Sequence, residues 1–184
     1  MNHLSDSFRA DSTHSAVLLV DLQVDFLSAR GRLPVAQSAV PPLLEWVEAV
    51  VAEAHEIGVR VVHIVNRYPR WSIGNLFRKF AAIEDSPGAE IDERVPQTDA
   101  DPVFTKTRAD AFSNPELHTW IREHGIERLL VMGVYADACV RRTVEGALAR
   151  GIAVTVPRQA VASRSDAAVD RGLRAITRAG ATTR

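Results

Sequence analysis

Three residues of different chemistry, Asp21, Lys106 and Cys139, each stand where an apolar run of the chain gives out. Ala16-Val17-Leu18-Leu19-Val20 leads into Asp21, Val103-Phe104-Thr105 into Lys106, and Leu129-Leu130-Val131-Met132 into Gly133 and a short turn before Cys139. A carboxylate, an ammonium and a thiol are sufficient for acyl transfer. The carboxylate removes the thiol proton, and the ammonium keeps the carboxylate ionised and holds nearby negative charge. Backbone N–H groups in the turn Gly133 to Cys139 are placed to receive a developing oxyanion. Each residue also has a plainer reading. A lone cysteine is commonly a small buried hydrophobe, Asp21 can cap a loop, and Asp21 with Lys106 can be a buried ion pair beside an inert thiol.

The elements that must position these residues follow from patterning. The near-continuous apolar runs 16–20, 59–65, 103–105, 129–132 and 152–156 read as parallel strands covered on both faces, and 181–183 as a short sixth strand. Between them lie helical stripes. Pro41-Pro42 opens a helix with Leu43, Leu44, Val47, Val50, Val51 and Ala54 on one face, closed by Gly58. Asn114-Pro115 caps a second, with Leu117, Trp120, Ile121 and His124 on one face. A third starts near Ala138 with Cys139, Val140, Thr143, Val144, Ala147 and Leu148 on one side. That start puts Cys139 on a first helical turn, where unpaired N–H groups and the helix dipole favour a thiolate. A fourth follows the capping-box-like Ser163-Arg164-Ser165-Asp166. Strands alternating with helices predict an α/β, doubly wound, mainly parallel six-stranded sheet with helices on both faces, and ligands bind such sheets beyond the carboxyl ends of the strands. Residues 72–101 show no regular pattern and have the length of a functional loop. Residues 1–15 are expected to form a flexible or loosely docked arm, and 16–184 a single domain.

Composition limits the partners. Apolar residues make up 46% and charged residues 24% of 184, with a formal net charge of −1. That leaves no basic footprint for nucleic acid and no polybasic membrane patch. One cysteine cannot close an internal disulfide, and no apolar stretch reaches bilayer length, so a cytoplasmic location is expected. Lys79 and Lys106 are the only lysines among 22 Lys and Arg residues. A compact ammonium at a strand end is not duplicated by an arginine fork.

Val20-Asp21-Leu22-Gln23-Val24-Asp25-Phe26, Lys106-Thr107-Arg108-Ala109-Asp110-Ala111-Phe112 and Gly133-Val134-Tyr135-Ala136-Asp137-Ala138-Cys139-Val140 resemble the three signature blocks of the isochorismatase-like cysteine hydrolases, in the family's order. The resemblance implies a Cys–Asp–Lys triad with Cys139 as nucleophile, Asp21 as general base and acid, and Lys106 as charge partner. It also implies a cis peptide between Val134 and Tyr135, with the Tyr135 and Cys139 N–H groups as oxyanion hole. Homo-oligomers are implied too, in which elements of one copy help close a neighbour's pocket.

Two departures narrow this reading. Nicotinamidases of the superfamily carry an Asp-x-His…His metal site after the second strand. Here the stretch is Asn66-Arg67-Tyr68-Pro69-Arg70-Trp71-Ser72, so no metal and no cofactor is expected, and nicotinamide is disfavoured. Asp110 stands where the family often has serine; it adds charge near the pocket or pairs with Arg108. The preferred function is hydrolysis of a C–N bond in a small amide, carbamoyl or ureido compound through a Cys139 thioester. The alternatives are vinyl-ether cleavage with Asp21 as general acid, and a non-catalytic binding or redox-sensing role. Arg67 and Arg108 are candidates for holding a substrate carboxylate, and Phe26, Tyr68, Trp71 and Tyr135 for walling a small pocket.

Overall fold

The computed structural model describes residue 4 and residues 6–184. In chain order these form α1 (Asp6–Ala10), β1 (Ser15–Val20), α2 (Val24–Leu27), α3 (Val40–Ile57), β2 (Arg60–Asn66), β3 (Val103–Lys106), α4 (Pro115–Glu123), β4 (Arg128–Val134), a π-helical turn Ala136–Val140 continuing into α5 (Arg141–Leu148), β5 (Ala153–Val156), β6 (Val161–Ala162), α6 (Asp166–Ala179) and β7 (Thr182–Thr183).

The strands form one sheet of order β3-β2-β1-β4-β5-β7, with β6 pairing with the last two residues of β4, Gly133 and Val134. All of its ladders are parallel; Val20 lies opposite Ile64 of β2 and Gly133 of β4. The expected six strands are joined by the two-residue β6, too short to leave a pattern in the sequence. Alternation along β1 divides the core. Val17 and Leu19 pack with Leu43, Val47, Val50 and Ala54 of α3 on one face. Ala16, Leu18 and Val20 pack with Leu117 of α4, Val144 of α5 and Ile176 of α6 on the other. A strand buried from both sides needs apolar residues at every position, which is why these strands read as unbroken runs. Chain order reverses between β1 and β4, so a crevice opens beyond their carboxyl ends.

The helix termini follow local chemistry. α3 starts with Pro41-Pro42 and stops at Gly58, whose φ of 75° lets its N–H return to Ala54 and His55 carbonyls. Asn114 caps α4 through the Glu116 N–H. Ser165, not Ser163, caps α6 by accepting from the Ala168 N–H; Ser163 is turned toward Asp137.

The described residues of the amino-terminal segment, expected to be a flexible or loosely docked arm, lie docked against α3. Leu4 and Phe8 are buried in the α3-side core, and Arg9 pairs with Glu53 of α3. The short helix turns Phe8 inward, a single apolar anchor that a mostly polar composition conceals. Residues 1–3 and 5 of that arm lie outside the described residues. Among the described residues, no helix is long and apolar enough to cross a membrane.

Candidate active site

The crevice beyond β1 and β4 holds a cavity of about 370 Å³ lined by residues that include Asp21, Asn66, Tyr68, Tyr135 and Cys139. Asp21 follows β1 directly. Its N–H donates to Ile64 O at 2.8 Å and its φ is 57°, a conformation aspartate tolerates better than most residues. This turns the carboxylate inward. Lys106, last residue of β3, donates through Nζ to Asp21 Oδ2 and to Asn66 Oδ1, both at 2.9 Å. Asn66 ends β2 and is fixed by Gln23, whose amide accepts from the Asn66 N–H and donates to the Asn66 and Ala89 carbonyls. β1, β2 and β3 thus each deliver one member of a buried Asp–Asn–Lys chain.

Cys139 comes from the π-helical turn after β4. Three features set the course of that turn. Gly133, at φ 126°, approaches β1 so closely that a Cβ would fall 2.0 Å from Val20 O. The Val134–Tyr135 peptide is cis. Gly172 of α6 lies against the turn, and a Cβ there would sit 2.4 Å from Ala136 O. The Asp137 carboxylate adds a tie: it accepts from Ser163 Oγ and, at 3.3 Å, from Arg171 Nη2. The extra residue of the π turn places Cys139 differently from the regular first α-helical turn expected from the apolar stripe; π turns recur at functional sites.

Burial pushes the Cys139 thiol up to about 12; the Asp21 charge adds to this and Lys106 opposes it. The turn's N–H groups and dipole favour a thiolate at this position, but burial and the adjacent carboxylate outweigh them and the ammonium. Burial also raises Asp21 above the usual carboxylate range, against the pull of Lys106. Desolvation opposes the Lys106 charge, but Asp21 and its other neighbours outweigh it and lift Lys106. The 2.9 Å contact between the Lys106 ammonium and the Asp21 carboxylate is that of a buried ion pair. Asp21 Oδ1 is buried without a hydrogen-bond partner; the thiol beside it is the group with a proton to offer.

The residues expected to bind substrate divide. Phe26, Tyr68 and Tyr135 line the cavity, with the Phe26 and Tyr135 rings edge-on at 5.8 Å. Arg67, Trp71 and Arg108 do not. Side chains alternate along an extended chain, so Asn66 and Tyr68 face the site while Arg67 turns away to Glu90 at 3.5 Å. Trp71 is 95% exposed. Arg108 is exposed in the loop after β3. Asp110 neither lines the cavity nor pairs with Arg108; it accepts from the Phe112 N–H and packs against Gly146.

Sequence reasoning missed Arg78, Arg164 and Arg171, all of which line the cavity. Arg78 lies in the irregular stretch after β2, where Asp25 accepts from the Ala82 N–H at 2.8 Å and the Arg32 N–H at 3.1 Å. The Asp21-x-Gln23-x-Asp25 spacing was the available signal: each polar side chain organises a different wall. Among the described residues no group of three or more His, Cys, Asp and Glu is arranged to hold a metal ion. His63 is buried within β2, and His124 stacks on Trp120.

The isochorismatase domain family model matches residues 15–184. An N-carbamoylsarcosine amidase from an Arthrobacter species is 39% identical over 80 residues, 44% of this chain but only 30% of that protein's length. A nicotinamidase from Escherichia coli strain K12 is 31% identical over 169 residues, 77% of this chain and 79% of that protein. Among solved structures, the N-carbamoylsarcosine amidase from Thermoplasma acidophilum superposes with a TM-score of 0.79 at 26% identity, over 92% of this chain and 95% of that one. With a parallel sheet of this order, a crevice built by its strand ends and a family match over nearly all its length, the chain belongs to the isochorismatase family.

Proposed function

We propose that this protein is a cysteine hydrolase that cleaves a C–N bond of a small amide, carbamoyl or ureido compound through a Cys139 thioester. The observation that carries the reading is the Cys139 thiol set against a buried Asp21–Lys106 pair on the lining of a small cavity. The amidases among its relatives support the same class of reaction.

In this mechanism the resting thiol keeps its proton until substrate arrives. Asp21 takes that proton as sulfur attacks the carbonyl carbon, and the N–H groups of Tyr135 and Cys139 receive the oxyanion. Protonated Asp21 then gives its proton to the leaving nitrogen as the C–N bond breaks. A water, deprotonated by Asp21, attacks the thioester carbon; the acid leaves and the proton returns to sulfur. Burial raises the proton affinity of Asp21, which suits it to both transfers, while Lys106 offsets the negative charge that passes between carboxylate, thiolate and oxyanion. Phe26, Tyr68 and Tyr135 wall the substrate.

Ammonia release from a panel of N-carbamoyl amino acids, half-amides and ureides tests the reading. The parent should release ammonia from at least one member, and Cys139→Ala should lose that activity by about a thousandfold or more. Unimpaired turnover in Cys139→Ala would instead assign the chemistry to Asp21 alone, as in vinyl-ether cleavage.

We also propose that the protein works as a homo-oligomer. Trp71, Ile73, Leu76 and Phe77 are 71–95% exposed within one short segment, a larger apolar cluster than scattered surface residues produce. A sedimentation boundary of monomer alone at micromolar concentration would contradict this.

A further inference from the structure

A lysine ammonium carries three N–H donors and no acceptor. In Lys106 two of them are committed, one to Asp21 Oδ2 and one to Asn66 Oδ1, both at 2.9 Å. The side chain is 0% exposed, so the ammonium has no open water to turn toward. Once two N–H bonds of a tetrahedral group are fixed, the direction of the third is fixed with them. Burial and the Asp21 charge push the Cys139 thiol up, and Lys106 opposes them through its charge and through a hydrogen bond. The third N–H is the one left for that bond.

Asn66 is itself held on all sides. It is 1% exposed, and Gln23 beside it is 0% exposed. Gln23 Oε1 accepts from the Asn66 N–H at 2.8 Å, and Gln23 Nε2 donates to the Asn66 carbonyl at 2.8 Å and to that of Ala89 at 2.6 Å. Because Lys106 can only donate, the Asn66 amide must present its oxygen to it. That oxygen grips the ammonium without bringing a charge of its own, so the charge of Lys106 is left to Asp21 and to sulfur.

We infer that Asn66 is a positioning residue: by holding one N–H of Lys106 it aims another at the Cys139 sulfur, where negative charge forms as Asp21 takes the thiol proton. The inference rests on the reading of Cys139 as nucleophile, and Asn66 acts on that nucleophile through Lys106. A carboxylate in its place would behave differently. Two anions would compete for one ammonium, draw it from sulfur and repel the forming thiolate.

Alkylation of Cys139 by iodoacetamide reports on the thiol without any substrate. In Asn66→Leu the ammonium keeps its charge but loses the bond that aims it. Alkylation at pH 9 should slow by about tenfold, the worth of one hydrogen bond to a charged group. On an active amide kcat should fall by a similar factor, with KM little changed. Asn66→Asp keeps both the side-chain shape and an oxygen against Lys106, and it decides the matter if Asn66→Leu does not fold. Its alkylation at pH 9 should also slow, and its turnover should recover toward the parent's as pH falls, because two carboxylates around one ammonium do not both stay ionised. The effect must also run through Lys106. In protein carrying Asp21→Asn and Lys106→Met, adding Asn66→Leu should leave the alkylation profile unmoved. A parent-like alkylation profile and kcat in Asn66→Asp, or an effect of Asn66→Leu that persists in full without Lys106, overturns the inference. A slowed alkylation of both variants in a protein that releases ammonia from no panel member would sustain the positioning of Lys106 and count against the hydrolase reading.

Discussion

The Lys106 ammonium reaches Asp21 Oδ2 at 2.9 Å in a place where both side chains are inaccessible, 0% and 1% exposed. A buried pair of this kind costs much to desolvate and is stable only while both members are present. Lys106→Met should therefore destabilise the protein by about 3–5 kcal/mol, because an unpaired carboxylate is left in the core. In an Asp21→Asn background the same change should cost far less. Urea denaturation of the four proteins in this cycle measures the coupling; strictly additive effects would mean that the two groups do not interact.

The thiol offers a prediction with a definite sign. With Cys139 pushed up to about 12 by burial and by Asp21, iodoacetamide should alkylate it slowly at neutral pH, and the rate should keep climbing through the alkaline range. Asp21→Asn removes a negative charge beside sulfur, so thiolate forms at lower pH and alkylation at pH 8 should quicken even as turnover falls. Lys106→Met removes the opposing charge and should slow alkylation further. A parent profile that levels off near 8.5, the value of an unperturbed thiol, would contradict this electrostatic account.

Gly172 is placed to test whether α6 holds the nucleophile turn. Gly172→Ala puts a methyl group where the Ala136 carbonyl now lies, and either the turn or the helix must shift. Turnover should fall by about a hundredfold, the cost of a displacement of roughly 1 Å at a catalytic group, with the protein still folded by circular dichroism. Full activity in this variant would show that the turn tolerates movement of α6.

What could be read without the structure, and what could not, divides along physical lines. β1, β2 and β4 lie inside the sheet, so their apolar runs were plain, and the residues ending them came with them: Asp21 and the turn leading to Cys139. Lys106 was legible for the same reason, at the end of β3. Trp71 and Arg67 were misjudged because chain direction past a strand end is set by tertiary hydrogen bonds, here from Tyr68 N–H to Ala82 O and from Arg67 N–H to Lys106 O. Arg78 and Arg164 come from irregular chain with no period to interpret. Arg78 is held through the loop that Asp25 secures, a contact across 57 residues. The upward push on the thiol was not legible, because local position favours a thiolate, whereas burial is a property of the whole fold.

The most direct test of the central claim is mass analysis of Cys139 during turnover of an amide found active in the ammonia assay. Reaction mixtures are quenched in acid, digested and examined for the peptide that carries this residue. The account predicts a peptide heavier by the acyl portion of the substrate, appearing only with substrate and absent in Cys139→Ala. Sustained ammonia release with no such adduct, and with Cys139→Ala equally active, would contradict it.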